Sequence, residues 1–153
     1  MKKSIIAVLM IAGITSFLPS QLSAQKVKPS LNHIALYVVD LKSSTEFYRD
    51  FLGLDTIPEP FHDGKHTWFA IGPKSHLHII QGAKQVINKE LNSHLCFTVP
   101  NVDEYVAKVT KANIPYVNAA GEPSKVTIRV DGVKQIYFQD PDKNWVEIND
   151  ARQ

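Results

Sequence analysis

With a single cysteine, Cys96, the 153-residue chain cannot close an internal disulfide, so its fold must rest on packing. It also lacks a membrane-spanning run. Its one long apolar stretch, at 5–14, is far short of the ~20 residues a spanning helix needs, and Gly13 and Pro19 break it. Lys2 and Lys3 precede that stretch, and Leu22-Ser23-Ala24-Gln25 ends the polar segment after it. A charged start, an apolar run and a small-residue site form the pattern of a secretory signal peptide cleaved after Ala24. Gln25 stands where a lipoprotein would need cysteine. The expectation is an exported protein, periplasmic or secreted, with no stable membrane anchor after cleavage.

The mature chain also has no excess charge. Removing 24 residues leaves 129, enough for one domain with a core. The lost segment takes two of the 17 basic residues and no acid, so 15 basic groups face 15 acidic ones. The basic balance of the full chain therefore belongs to the signal, and no basic stripe argues for a nucleic-acid partner.

What the mature chain does have is an internal repeat. After a short leader at 25–30, LNHIALYVV reads as a strand, and Asp40 caps a helix over LKSSTEFYRDFLG that Gly53 closes. Strand-like pieces follow near 54–58, 66–71 and 76–81, separated by the turns HDGK and GPKS. The order then recurs. SHLCFTVP is a strand, Asn101 caps a helix over NVDEYVAKVTKAN, and IPYVN, VTIRV, KQIYFQ and NWVEIN are further strands. LNHIALYVVDL aligns with NSHLCFTVPNV at an offset of 61 residues, which sets His33 on His94; the closing strands align so that His78 falls on Glu147. Such a repeat fixes architecture. It predicts an α+β fold of two βαβββ modules, about 31–82 and 92–150, in a single domain at 31–150.

His33, His94, His78 and Glu147 each interrupt an apolar strand, where patterning predicts a core-side position. One such histidine is ordinarily a hydrogen-bonded core or rim residue. Four at related places in both halves point to an open divalent-metal site for Zn, Ni, Mn, Co or Fe. His62 and His66, in a turn-rich segment, are expected in solvent. In HLHIIQG, His76 is expected at the rim and His78 at the metal, as a ligand or as an acid/base group beside it.

The stretches LNHIALYVVDLKSSTEFYRDFLGLD, WFAIGPKSHLHIIQ, SHLCFTVPNVDEYVAKV and IYFQDPDKNWVEI resemble the vicinal oxygen chelate superfamily over nearly the whole mature chain. That superfamily includes glyoxalase I, extradiol dioxygenases, fosfomycin-resistance thiol transferases and bleomycin-binding proteins. The resemblance implies paired βαβββ modules forming a curved mixed sheet around a metal-binding cleft. It places metal ligands at His33, His94 and Glu147, and His78 where glyoxalase I usually has Glu; a glyoxalase-I-like branch carries His there. Lys143 stands where the superfamily more often has Gly. Tyr137 is the best substrate contact by the resemblance, with Gln135, Trp68 and Arg129 as weaker ones, and Cys96 is expected to be a small packing residue beside the metal.

The function so implied is that of a metal-dependent glyoxalase-like lyase or isomerase. It acts on a small oxygenated substrate through an enediolate or oxyanion, with Glu147 or His78 moving the proton. Export argues against a glutathione hemithioacetal as that substrate. The rivals are a metal-free small-molecule or antibiotic-binding protein of the bleomycin-resistance type, an Fe(II) dioxygenase and a thiol transferase. Two-module members commonly pair, so a homodimer is expected, with His33 and His78 from one chain meeting His94 and Glu147 from the other.

Overall fold

The computed structural model describes residues 27–152, and the signal segment expected at 1–24 lies outside the described residues. Two modules follow one another. The first is β1 (His33–Val38), α1 (Leu41–Glu46), a π-helical stretch (Phe47–Leu52), β2 (Thr56–Ile57), β3 (His66–Gly72) and β4 (Ser75–Gln81). The second is β5 (His94–Thr98), α2 (Val102–Lys111), β6 (Tyr116–Val117), β7 (Thr127–Ile128), β8 (Lys134–Gln139) and β9 (Trp145–Asn149). Their sheets run β1-β4-β3-β2 and β5-β9-β8-β6, with β7 added on β8. In each, the first strand pairs in parallel with the last, and the last pairs antiparallel with the one before it. This is the α+β architecture of two βαβββ modules that the repeat predicts.

The expected caps form. The Asp40 carboxylate accepts the Ser43 amide at 2.7 Å, and the Asn101 side chain accepts the Asp103 amide at 2.9 Å. Gly53 takes φ +90° and turns the chain out of the first helix, with the Leu54 amide on the Tyr48 carbonyl at 2.9 Å. The pattern does not reveal the wider turn at 47–52. Nor do the segments near 54–58 and in VTIRV pair over their length: only two residues of each join a ladder.

Alternation along β1 and β5 decides what each face meets. Ile34, Leu36 and Val38 pack with Phe69, Leu77 and Ile79 under the first sheet, while Val109, Ile136, Phe138, Val146 and Ile148 make the core of the second. Phe47 and Leu52 pack against both clusters, so the first module's helix joins the two cores. The turn DPDKN adds polar ties between modules. Asp142 accepts the Val39 amide at 2.8 Å and the Ser44 hydroxyl at 3.0 Å, and Asp140 accepts the Tyr48 hydroxyl at 2.9 Å.

The histidines lie on the opposite faces. This corrects the expectation that all four polar residues take core-side positions: His33, Ala35 and Tyr37 are exposed, and His94 is half-buried, whereas His78 and Glu147 are buried. His33 and His94 sit on β1 and β5, each the edge strand of its sheet, where burial is least. Among the described residues, no helix is long and apolar enough to cross a membrane.

Candidate metal centre

Strand register repeats the same geometry in both modules. Ala35 faces His78, which faces Trp68; Cys96 faces Glu147, which faces Tyr137. His33 and His94 lie two residues before Ala35 and Cys96 on the same faces. Each sheet thus carries a pair of the expected ligands: His33 with His78, and His94 with Glu147.

In the second module, His94 Nδ1 lies 2.8 Å from the Leu91 carbonyl, which can only accept, so Nδ1 carries the proton and donates it. His94 Nε2 then faces Glu147 Oε2 at 3.1 Å. Burial pushes the Glu147 carboxyl up, but hydrogen bonds from Asn149, Tyr137 and Cys96 and the charge of His94 outweigh it and hold the group below the usual carboxylate range. The Asn149 amide donates to Glu147 Oε1 at 2.8 Å. Gln135 Nε2 donates to the Tyr137 hydroxyl at 2.6 Å. Burial first, and then the neighbouring Glu147 carboxylate, raise the pKa of Tyr137 and hold it protonated.

Cys96 is more than the small packing residue expected of it. It faces Glu147 across the strand pair, and its sulfur lies 3.1 Å from Asn149 Nδ2. Burial and the nearby carboxylate push its thiol up to about 12. Because the thiolate is the reactive form, Cys96 of the folded protein should react with a disulfide reagent at pH 8 at least ~10-fold more slowly than in urea. Equal rates in the two states would show that the carboxylate does not hold the thiol.

In the first module three rings stack across the sheet. Trp68 and His78 lie parallel with centroids 3.9 Å apart and planes within 1°, and His33 lies beyond His78 at 4.3 Å. His33 Nδ1 is held by the Asn32 side-chain oxygen at 2.8 Å. The Nε2 of His78 and the indole nitrogen of Trp68 are buried without a hydrogen-bond partner. Burial lowers the His78 pKa, and the neighbouring imidazoles of His33 and His76 add to this, so the ring is neutral near pH 7. His76 lies on the same face, half-buried, its ring 6.4 Å from that of Trp68.

Two further expectations change. His66 is not in solvent: it opens β3 with its side chain 17% exposed, bonded to Asp63 at 2.8 Å and covered by Phe61. His62 is in solvent, 81% exposed. Arg129 is half-exposed and already bonded to Asp131 at 2.6 Å; its charge reaches Cys96, but the structure gives it no place against Glu147. Asn149 is a residue that the pattern analysis missed. Its signal was its position two residues after Glu147 on the same face of the final strand.

The residues present fit a divalent metal in their donor chemistry. With Nδ1 donating to the Leu91 carbonyl, Nε2 is the nitrogen that faces a carboxylate oxygen at 3.1 Å, and that gap suits either a second proton or a cation. A backbone carbonyl on the far imidazole nitrogen is also the usual support of a metal-bound histidine. His78 supplies a buried Nε2 with nothing to bind. One chain, however, brings the four residues together as two pairs and not as one set. Among the described residues, no three His, Cys, Asp or Glu side chains converge on one ion position.

Residues 30–148 match the model of the Glyoxalase/Bleomycin resistance protein/Dioxygenase superfamily. The chain belongs to that superfamily. Among its relatives, the metallothiol transferase FosB of Staphylococcus epidermidis is 25% identical over 129 residues, spanning 78% of this chain and 80% of FosB. The solved structure of oxidase ChaP-H2 superposes with a TM-score of 0.67 at 23% identity, over 82% of this chain and 96% of that one. That of a lactoylglutathione lyase from Agrobacterium tumefaciens gives 0.61 at 23%, over 82% and 96%. Superfamily members with these names differ in reaction, so the family shows the fold and leaves the reaction to the site.

Proposed function

We propose that the protein is a metal-dependent lyase or isomerase of the glyoxalase type that acts on a small oxygenated substrate. The observation that carries this reading is the His94–Glu147 contact, in which the Leu91 carbonyl holds Nδ1 and so aims Nε2 at the carboxylate oxygen, as an imidazole and a carboxylate that share a cation are aimed. His33, His94 and Glu147 would hold the metal, with His78 as a further ligand or as the group that moves the proton. When bound, the metal would polarise substrate oxygens and stabilise the negative charge that develops on them.

The chain's own residues do the rest. Glu147 stays ionised under its hydrogen bonds, so it supplies a fixed negative charge. His78, neutral and with a bare Nε2, can accept a proton from the carbon next to a substrate carbonyl and return it to the neighbouring carbon. Tyr137, kept protonated and held by Gln135, can turn its one hydroxyl proton from Glu147 to a substrate oxygen beside it. Trp68 keeps the His78 ring in plane.

The split of the four residues into two pairs supports a homodimer in which His33 and His78 of one chain complete the site of the partner's His94 and Glu147. The signal-like start supports an exported enzyme, whose substrate is then not a cytosolic glutathione adduct. The test is complementation. Chains carrying His33→Ala with His78→Ala, and chains carrying His94→Ala with Glu147→Gln, should each lose tight metal binding alone. Refolded together, half of the sites in mixed dimers should regain it. Metal analysis that finds no recovery in the mixture would refute the shared site. The His78→Ala protein separates its two roles: lost metal marks a ligand, and retained metal with lost turnover marks the proton-moving group.

A further inference from the structure

Asn149 ends β9 with its side chain buried, and its four contacts determine which way its amide points. The Thr98 hydroxyl reaches Asn149 Oδ1 at 3.1 Å, and the Ala151 backbone amide donates to the same atom at 3.2 Å. A backbone N–H can only donate, so the atom facing Ala151 must be the oxygen. The amide NH2 is therefore turned to the other side. There it meets Glu147 Oε1 at 2.8 Å and the Cys96 sulfur at 3.1 Å. Register makes this a ladder between neighbouring strands, because Cys96 faces Glu147 and Thr98 faces Asn149.

We infer that Asn149 is a positioning residue for Glu147: it engages Oε1 and so leaves Oε2 as the single oxygen presented to His94 and to the metal. This rests on the metal reading proposed above and specifies how the carboxylate binds, through one oxygen and not both. The equivalent place in the first module, by the offset that sets Trp68 on Tyr137 and His78 on Glu147, is Ile80, which can donate nothing. That matches the chemistry, since a carboxylate has two oxygens to tell apart and the imidazole of His78 needs no such partner. Thr98 acts one step further out, fixing the amide of Asn149.

The test is a Co2+ titration of the metal-stripped full chain, followed by its visible bands, which report ligand number as well as affinity. Asn149→Ala and Asn149→Asp should each bind Co2+ about 10- to 100-fold more weakly, as is usual when a ligand loses its supporting bond. Their bands should shift as Glu147 is freed to bind through both oxygens, while Thr98→Val, which keeps the Asn149 side chain, should show a smaller loss in the same direction. A purely structural stitch between β5 and β9 would lower the urea midpoint without moving the bands. Wild-type affinity and bands in folded Asn149→Ala and Asn149→Asp overturn the inference and leave the metal reading intact. If those two proteins do not fold, wild-type bands in Thr98→Val overturn it. A wild-type protein with no Co2+ bands overturns the metal reading itself, and this inference with it.

Discussion

His94→Ala protein is expected to bind its metal more than about 100-fold more weakly than wild type, because removal of a ligand exceeds the 10- to 100-fold loss typical of a supporting group. His94 is half-buried, opens β5, and is aimed by one bond to the Leu91 carbonyl, so truncation removes the donor without opening the core beneath it. Glu147→Gln tests the other side of the same contact. It keeps the shape and the hydrogen-bonding reach of the carboxylate but removes the negative charge next to His94 Nε2. Metal content of both proteins, purified without chelator and measured by atomic emission, should fall well below wild type. Arg129→Ala is the control, since its guanidinium is bonded to Asp131 at the surface and should leave metal content unchanged. Wild-type stoichiometry in both site variants would sink the ligand assignment.

Asp140→Ala should cost about 2–3 kcal/mol of folding stability, the upper part of the roughly 1–3 kcal/mol that follows when a buried hydrogen-bonding group is left unsatisfied. Asp140 accepts four donors: the Asp142 and Asn144 amides at 2.9 and 2.8 Å, Asn144 Nδ2 at 2.8 Å, and the Tyr48 hydroxyl at 2.9 Å. Tyr48 is fully buried, so its orphaned hydroxyl has no water to turn to. Such a loss is a large part of the ~5–15 kcal/mol that a domain has in total. Urea unfolding measures it, and a loss below about 1 kcal/mol would show that the turn does not tie the modules together.

The same residue has a pH signature. Burial raises the Asp140 pKa, against the hydrogen bonds from Asn144 and Tyr48 that lower it. A group whose folded pKa lies above its unfolded value contributes stability below the unfolded pKa and loses it as pH rises through the folded one. The advantage of wild type over Asp140→Asn should therefore be largest in acid and shrink as pH rises past the ordinary carboxylate range.

Much of the fold was legible because it repeats. One alignment, His33 on His94 and His78 on Glu147, carries the two βαβββ modules and pairs the four candidate positions, while the strand order and the parallel pairing of first and last strands are read only from the structure. Caps at Asp40, Asn101 and Gly53 were legible because each is a local bond or a local φ. Burial on β1 was not. Alternation shows that His33 and Ile34 face opposite ways, but only the sheet's edge and the packing of the modules decide which side meets water. Asn149 escaped notice because an amide beside a carboxylate means something only when its partners, Thr98 and Ala151, are seen in space. The burial of His66 is hidden for a similar reason: Phe61, in the loop between β2 and β3, folds over it.

The wider turn at Phe47–Leu52 amounts to one residue more than an α-helix would spend on the same rise. Phe47 and Leu52, five apart, both reach the two cores because of that extra residue. Chain length here therefore matters as much as side-chain identity. Winding the same five-residue step as an ordinary α-helix, at roughly 100° per residue, would turn one of the two off its cores, even with every ring and methyl group retained.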